Sequence, residues 1–196
     1  IFMRYGVFLK LQSNEEKIIN NLKKNFLKKV IGKNKYFDHK THITLFCFNS
    51  RKDIKMIKNK FLLEIKNRSL SPVKLKSKNI FYKDPLTSLD TITLNIFKSK
   101  KLISLQMEIF KIFNLFIINK NKNIFKNQIF NSNQEKYGYP FFGKIWIPHI
   151  TLGSLDLNIN PHLYLLFKNL KFKKYFSIKE ISLNIIYKDG KFRKIN

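Results

Sequence analysis

The chain has a single cysteine, Cys47, among 196 residues. An internal disulfide framework is thereby excluded, and a reducing, cytoplasmic setting is the expectation. Acidic residues are scarce too, 12 against 39 Lys and Arg, for a net charge of +27. Only 6 Gly and 5 Pro are present, so a linker-rich or low-complexity chain is not indicated. No apolar run approaches the roughly 18–20 residues that a membrane-spanning helix needs. Arg4 breaks the first apolar stretch, so no secretory leader is expected. There is no Walker A loop, no dinucleotide-binding glycine fingerprint and no Gly-x-Ser-x-Gly elbow. Histidine is rare as well, with four in the whole chain.

What is present points to a folded domain. Hydrophobic residues make up 44% of the chain, with 20 Phe and 8 Tyr, enough to bury one sizeable core across 1–196. The basic charge predicts attraction to polyanions, including nonspecific attraction to nucleic acid. Yet Lys, Asn, Ile and Phe, all encoded by AT-rich codons, dominate together. An AT-rich genome raises Lys without selection for binding, so charge alone does not name a partner.

Hydrophobic spacing gives the elements. Tyr5–Leu11 reads as a strand. Ser13 with Glu16 makes a capping-box pattern, opening a helix with Ile18, Leu22, Phe26 and Val30 inward and Gly32 at its end. Thr41–Phe48 reads as a second strand. Asp53 caps a helix whose inner residues are Ile54, Ile57, Phe61 and Ile65. Val73–Tyr82 reads as an edge strand and Thr91–Phe97 as another strand. Leu102, Leu105, Ile109 and Phe113 mark a third helix. Asn119 to Tyr139 reads as a long polar loop. Asn160-Pro161 starts a short helix, and Phe176–Tyr187 is a last strand before a turn at Asp189-Gly190. The expected fold is α+β and bilobal. Two pseudo-twofold strand–helix–strand halves, about 1–85 and 86–196, would pack antiparallel sheets and helices around a central cleft.

Two of the four histidines occur in one repeated word, His-Ile-Thr-Leu, at His42–Leu45 and His149–Leu152. In a strand, residues i and i+2 share a face. His42 and Thr44 then point one way while Ile43 and Leu45 point into the core, and His149 and Thr151 behave alike. Two imidazoles and two hydroxyls around a gap suit phosphodiester cleavage. One histidine accepts a proton as general base and the other donates one as general acid. The threonine hydroxyls stabilise charge on the non-bridging oxygens.

Paired His-x-Thr-hydrophobic motifs in a duplicated α+β chain resemble the 2H phosphoesterase superfamily. That superfamily includes 2'-5' RNA ligase-like proteins, cyclic phosphodiesterases, and viral and animal 2'-5' phosphodiesterases. The stretch "YGYPFFGKIWIPHITLGSL" at Tyr137–Leu155 resembles the second-motif region of bacterial and viral members. The resemblance implies a metal-independent phosphodiesterase with no cofactor, with His42 and His149 as the acid–base pair and Thr44 and Thr151 as phosphate binders. It implies a small nucleotide or oligonucleotide substrate: a 2',3'-cyclic phosphate end, 2'-5' oligoadenylate or 2',3'-cyclic GMP-AMP. With the AT-rich coding signature, it also implies a viral enzyme that degrades immune messengers.

Other readings of the same residues compete. Tyr137, Tyr139 and Phe141 are candidates to stack a base and equally candidates for packing. Trp146 has the strand parity of Ile150, which favours the core. Lys10 and Lys144 are possible phosphate contacts, and His39 and His162 read as surface residues. His39 and His42 are three apart, but no Cys pair, His-Glu-x-x-His or carboxylate cluster completes a zinc set. No membrane partner is expected, and the chain reads as a monomer. The rival from another class is a non-catalytic basic RNA-binding protein on the same fold.

Overall fold

The computed structural model describes residues 2–65, 68, 70–118, 125 and 127–196. Among these the strands are β1 (Met3–Leu11), β2 (Asn34–Lys35), β3 (Ile43–Ser50), β4 (Val73–Phe81), β5 (Asp90–Ile96), β6 (His149–Leu155), β7 (Tyr175–Phe176), β8 (Ile178–Ile186) and β9 (Phe192–Lys194). The helices are α1 (Ser13–Leu27), α2 (Ile54–Glu64), α3 (Lys100–Phe113), α4 (Gln128–Tyr137) and α5 (Pro161–Asn169). The α+β class is the one expected.

Where two sheets were expected, the strands form one antiparallel path, β7-β4-β5-β6-β3-β1-β8-β9, with β2 added beside β6. The path narrows at its middle, where β3 and β6 pair only at Ile43 and Ile150. Pairing crosses residue 85 in both directions, since β4 joins β5 and β8 joins β1. β4 is interior to the path, between β7 and β5.

The core lies where the alternation predicts. Tyr5, Val7 and Leu9 of β1 are buried, as are Ile43 and Leu45 of β3 and Ile150 and Leu152 of β6. Phe48 stacks on Phe113 of α3, with ring centroids 4.9 Å apart. Three local expectations are corrected. Ser13 is the first helical residue, preceded by Gln12 as an N-cap that makes no side-chain bond. Glu15, not a capping Ser13, ties this end down by accepting from the Ser177 amide at 2.8 Å. The buried stripe of α1 is Ile19, Lys23 and Phe26, while Ile18 is 58% exposed, and the helix ends at Leu27, before Gly32. The polar segment before the second motif contains α4, capped by Asn127, whose side chain accepts from the Ile129 amide. The remainder of that expected loop, 119–124 and 126, lies outside the described residues.

Asp53 caps α2 as expected, accepting from the Lys55 amide at 2.6 Å. Asn160 precedes α5, but its side chain makes no helix cap. It accepts from the Ile31 amide at 2.8 Å and donates to the Ile31 carbonyl at 3.0 Å, pinning the α1–β2 connection. No helix among the described residues is long and apolar enough to cross a membrane.

Candidate active site

The single bridge between Ile43 and Ile150 sets the geometry of the site. Continuing this antiparallel register by one residue each way places His42 opposite Thr151 and Thr44 opposite His149. The two words are thus related by a local two-fold through the isoleucine pair, with the histidines on one diagonal and the threonines on the other. In a regular ladder such diagonal side chains stand roughly 7–8 Å apart, room for a phosphate between two imidazoles. All four are half-buried, while the intervening Ile43 and Ile150 are fully buried.

The flanking strands extend the pattern into two rows. Phe8 of β1 pairs with Thr44, and Asn95 of β5 pairs with His149, giving the row Phe8, Thr44, His149, Asn95. Thr93 pairs with Thr151, and Lys10 lies one step past the Leu9–Ile43 pair, giving Lys10, His42, Thr151, Thr93. Each flanking ladder carries an irregularity beside the site, between Val7 and Phe8 and between Ile92 and Thr93. Such bulges re-aim side chains.

Both imidazoles are held alike. His42 Nδ1 bonds the Lys40 carbonyl at 2.8 Å, and His149 Nδ1 bonds the Ile147 carbonyl at 2.7 Å. A carbonyl can only accept, so Nδ1 carries the proton in each and Nε2 is left for chemistry. Aromatic rings fix the planes. His42 lies 4.2 Å from Phe8 and 4.7 Å from Phe192, and Phe81 meets His149 edge-on at 5.4 Å. Glycine makes one of these layers possible: a Cβ on Gly6 would stand 2.5 Å from the Phe8 ring. Elsewhere on β6, a Cβ on Gly153 would stand 2.3 Å from the Phe37 ring.

The electrostatics of the two histidines differ. Burial pushes the His42 imidazolium down to about 3. The Lys40 carbonyl opposes that shift, and Lys10, Lys23 and His149 reinforce it. Burial lowers His149 as well, but there the Ile147 carbonyl and the Asp84 carboxylate both oppose. Asp84 is anchored by the Thr91 hydroxyl, which donates to it at 2.7 Å, with Ser154 a further 2.7 Å from Thr91. Lys23 is 1% exposed and donates to the His39 carbonyl, and burial lowers it to about 8.

The expected base-stacking residues are not brought to this cleft. Tyr139 is buried against Phe46 and Phe141, Tyr137 packs on Phe110 and Phe142, and Phe141 also meets Phe125 and Phe130. None of these rings contacts either histidine; they fill the space between α3, α4 and the sheet. Trp146 is buried, and its indole donates to the Thr44 carbonyl at 3.2 Å, tying the approach of the second word to the first. His39, expected at the surface, is packed on Tyr36 with its side chain 10% exposed, whereas His162 is exposed. Lys144 is exposed and remote in its contacts, while Lys10 is buried beside His42. Lys10, Lys23, Phe8, Phe192 and Asp84 are the site's neighbours that the motif alone does not reveal. Among the described residues no three His, Cys, Asp or Glu side chains cluster as metal ligands.

No family model matches the chain, and no curated protein sequence matches it. Among solved structures it is similar to E. coli LigT in apo form, at 14% identity and a TM-score of 0.49, over 100% of this chain and 94% of that one. The likeness to E. coli LigT complexed with NADP+ is 14% identity and a TM-score of 0.48, over 98% and 93%. For E. coli LigT complexed with phosphate the values are 14% and 0.46, over 99% and 93%.

Proposed function

We propose that the protein is a phosphodiesterase of the 2H phosphoesterase type, cleaving 2'-linked or cyclic nucleotide phosphodiesters by histidine acid–base chemistry without a metal. The observation that supports this reading is the Ile43–Ile150 pair, which sets the two His-Ile-Thr-Leu words side by side on β3 and β6, each histidine bonding a backbone carbonyl through Nδ1.

His42 is the base and His149 the acid in this reading. Lys10 and Lys23 disfavour a proton on His42, while Asp84 favours one on His149. On a 2'-5' linkage, His42 Nε2 takes the proton of the free 3' hydroxyl, whose oxygen attacks phosphorus. His149 Nε2–H gives its proton to the departing 5' oxygen as the P–O bond breaks. Thr44 and Thr151 donate hydrogen bonds to the non-bridging oxygens, where charge accumulates. The product is a 2',3'-cyclic phosphate; with a substrate already cyclic, water replaces the 3' hydroxyl. Each acid–base role contributes about 10²–10⁴ in rate.

The substrates that fit this chemistry are 2'-5' oligoadenylate, 2',3'-cyclic GMP-AMP and 2',3'-cyclic phosphate ends. Destruction of such messengers by a viral enzyme in the host cytoplasm is the role we assign, with the AT-rich composition as its support. The test is a panel of these compounds with excess EDTA, with wild type, His42→Ala and His149→Ala. Turnover of at least one substrate by wild type, reduced at least about 10²-fold in either variant, is the expected result. If no substrate turns over, or the variants match wild type, the histidines are not the engine and a basic RNA-binding protein is the better reading.

A further inference from the structure

Resting on the function proposed above, we infer that the cleft has a second anion subsite on its His42 side. Lys10 forms it, and its ligand is a substrate phosphate other than the one being cleaved.

Lys10 follows Phe8 on the same face of β1, and the register sets it beside His42. Its Nζ stands 4.8 Å from the centroid of Phe192, the ring that also packs against His42. The ammonium and the imidazole thus border one wall of the cleft. Lys10 is 8% exposed, and its one hydrogen bond among the described residues is a long 3.4 Å contact to the Thr41 carbonyl. An ammonium has three donors, so most of its bonding capacity is unspent. Among the described residues no carboxylate lies within ion-pair distance of it. Glu180, the acid paired across the strand from Lys10, is taken by Lys194 at 2.6 Å. Behind it, Lys23 adds a second buried ammonium bonded only to a carbonyl among the described residues. Glu16 and Glu180 act on Lys10, and Asp38 on Lys23, only from beyond ion-pair distance; two buried cations so weakly compensated are costly to hold, and an arriving anion would supply a direct partner.

The local two-fold sharpens the assignment. It exchanges the Lys10 position on β1 with Asn95 on β5, the residue opposite His149. Asn95 is an amide, and it accepts from Thr93 Oγ1 at 3.0 Å. The side of His149 has Asp84 in its field where the side of His42 has Lys10 and Lys23. The additional substrate charge therefore belongs on the side of the base. In the mechanism proposed, that side holds the nucleoside whose 3' hydroxyl attacks, so the phosphate bound by Lys10 is the 5'-phosphate of that nucleoside.

The experiment compares 2'-5'-linked diadenosine monophosphate with a 5' hydroxyl against the same compound with a 5'-phosphate. A charge-assisted hydrogen bond predicts a preference for the phosphorylated compound of about tenfold in kcat/KM. In Lys10→Met the ratio should fall to near one, and in Lys10→Arg it should persist. Any effect of Lys10 on His42 acts on both substrates and cancels in the ratio. Equal turnover of the two by wild type overturns the subsite without needing a variant, and so does a preference that survives Lys10→Met. Turnover of neither compound by wild type removes linear 2'-5' linkages from the substrates and overturns the subsite, whereas the catalytic reading itself falls only if the whole substrate panel is inert. That outcome is distinct from turnover without preference, which removes the subsite alone.

Discussion

Replacing Lys23 by Met should stabilise the protein at neutral pH and destabilise it at alkaline pH. Lys23 sits on the apolar stripe of α1 at 1% exposure, and burial lowers its ammonium from 10.5 to about 8. At about 1.4 kcal/mol per pH unit, holding the charged form folded at pH 7 opposes folding by about 3 kcal/mol. Below the folded value both states are protonated, and the penalty is present in full. Between about 8 and 10.5 the unfolded chain binds the proton and the folded one does not, so stability rises with pH and the penalty fades. Methionine retains most of the aliphatic stem without the charge. Its cost is the lost bond to the His39 carbonyl, about 1–2 kcal/mol for a buried acceptor left unpaired. The net change is about +1 to +2 kcal/mol at pH 7. It reverses to about −1 kcal/mol at pH 10, where little of the charge penalty remains. Urea denaturation of both proteins, followed by circular dichroism at the two pH values, measures this directly. A variant less stable than wild type at pH 7, or a difference independent of pH, would refute the account of Lys23 as a buried cation whose burial outweighs the pull of Asp38.

The same field predicts the pH profile. On the proposed mechanism, activity of the free enzyme requires His42 neutral and His149 protonated, and burial holds both below 6.5. The kcat/KM optimum should therefore lie on the acid side of 6.5, and Asp84→Asn should move the descending limb to lower pH by removing the carboxylate that favours the His149 proton. A limb that stays in place in Asp84→Asn removes His149 as the acid. Gly6→Ala puts a Cβ 2.5 Å from the Phe8 ring, which is 2% exposed and tilted against His42. It should cost about 1–3 kcal/mol in denaturation and lower kcat by displacing the imidazole. Unchanged stability and kcat would show that the ring moves freely.

Period-2 alternation made much of this fold legible. Ile43, Leu45, Ile150 and Leu152 had to be buried if His42, Thr44, His149 and Thr151 were to face a cleft, and they are. In the stripe of α1, Phe26 is buried as expected, but Ile19 and Lys23 take the places that apolar periodicity assigns to Ile18 and Leu22, because Lys23 occupies an inward position where a hydrophobe is expected. The same lysine is the signal that was available: Ile19, Lys23 and Phe26 follow helical spacing, and a charged residue on that spacing marks either an error or a buried charge. Tyr137 and Tyr139 were ambiguous for a different reason. Proximity in sequence to His149 says nothing about which side of the sheet a ring enters, and Phe46, Phe110 and Phe142 captured them. The polar composition of α4 resembles a loop; Asn127 as cap and Gly138 as its left-handed end are the readable marks of the helix.

The division of labour proposed for the histidines illustrates the limit more sharply. Two identical words cannot differ by themselves, and a pair related by a local two-fold has no intrinsic base or acid. The distinction comes from residues that are distant in sequence and adjacent only through register. Lys10 reaches His42 through the β1–β3 ladder, Lys23 through a helix packed behind the first word, and Asp84 reaches the second through Thr91 and Ser154. A motif therefore names the reaction class, while the neighbouring strands decide the direction in which the proton moves. That dependence also explains why the cation and the carboxylate lie on opposite sides. The group that must stay neutral before substrate arrives needs positive charge beside it, and the group that must hold a proton needs negative charge. A substrate carrying its extra phosphate toward Lys10 keeps that charge away from Asp84, so recognition and proton placement favour the same orientation in the cleft.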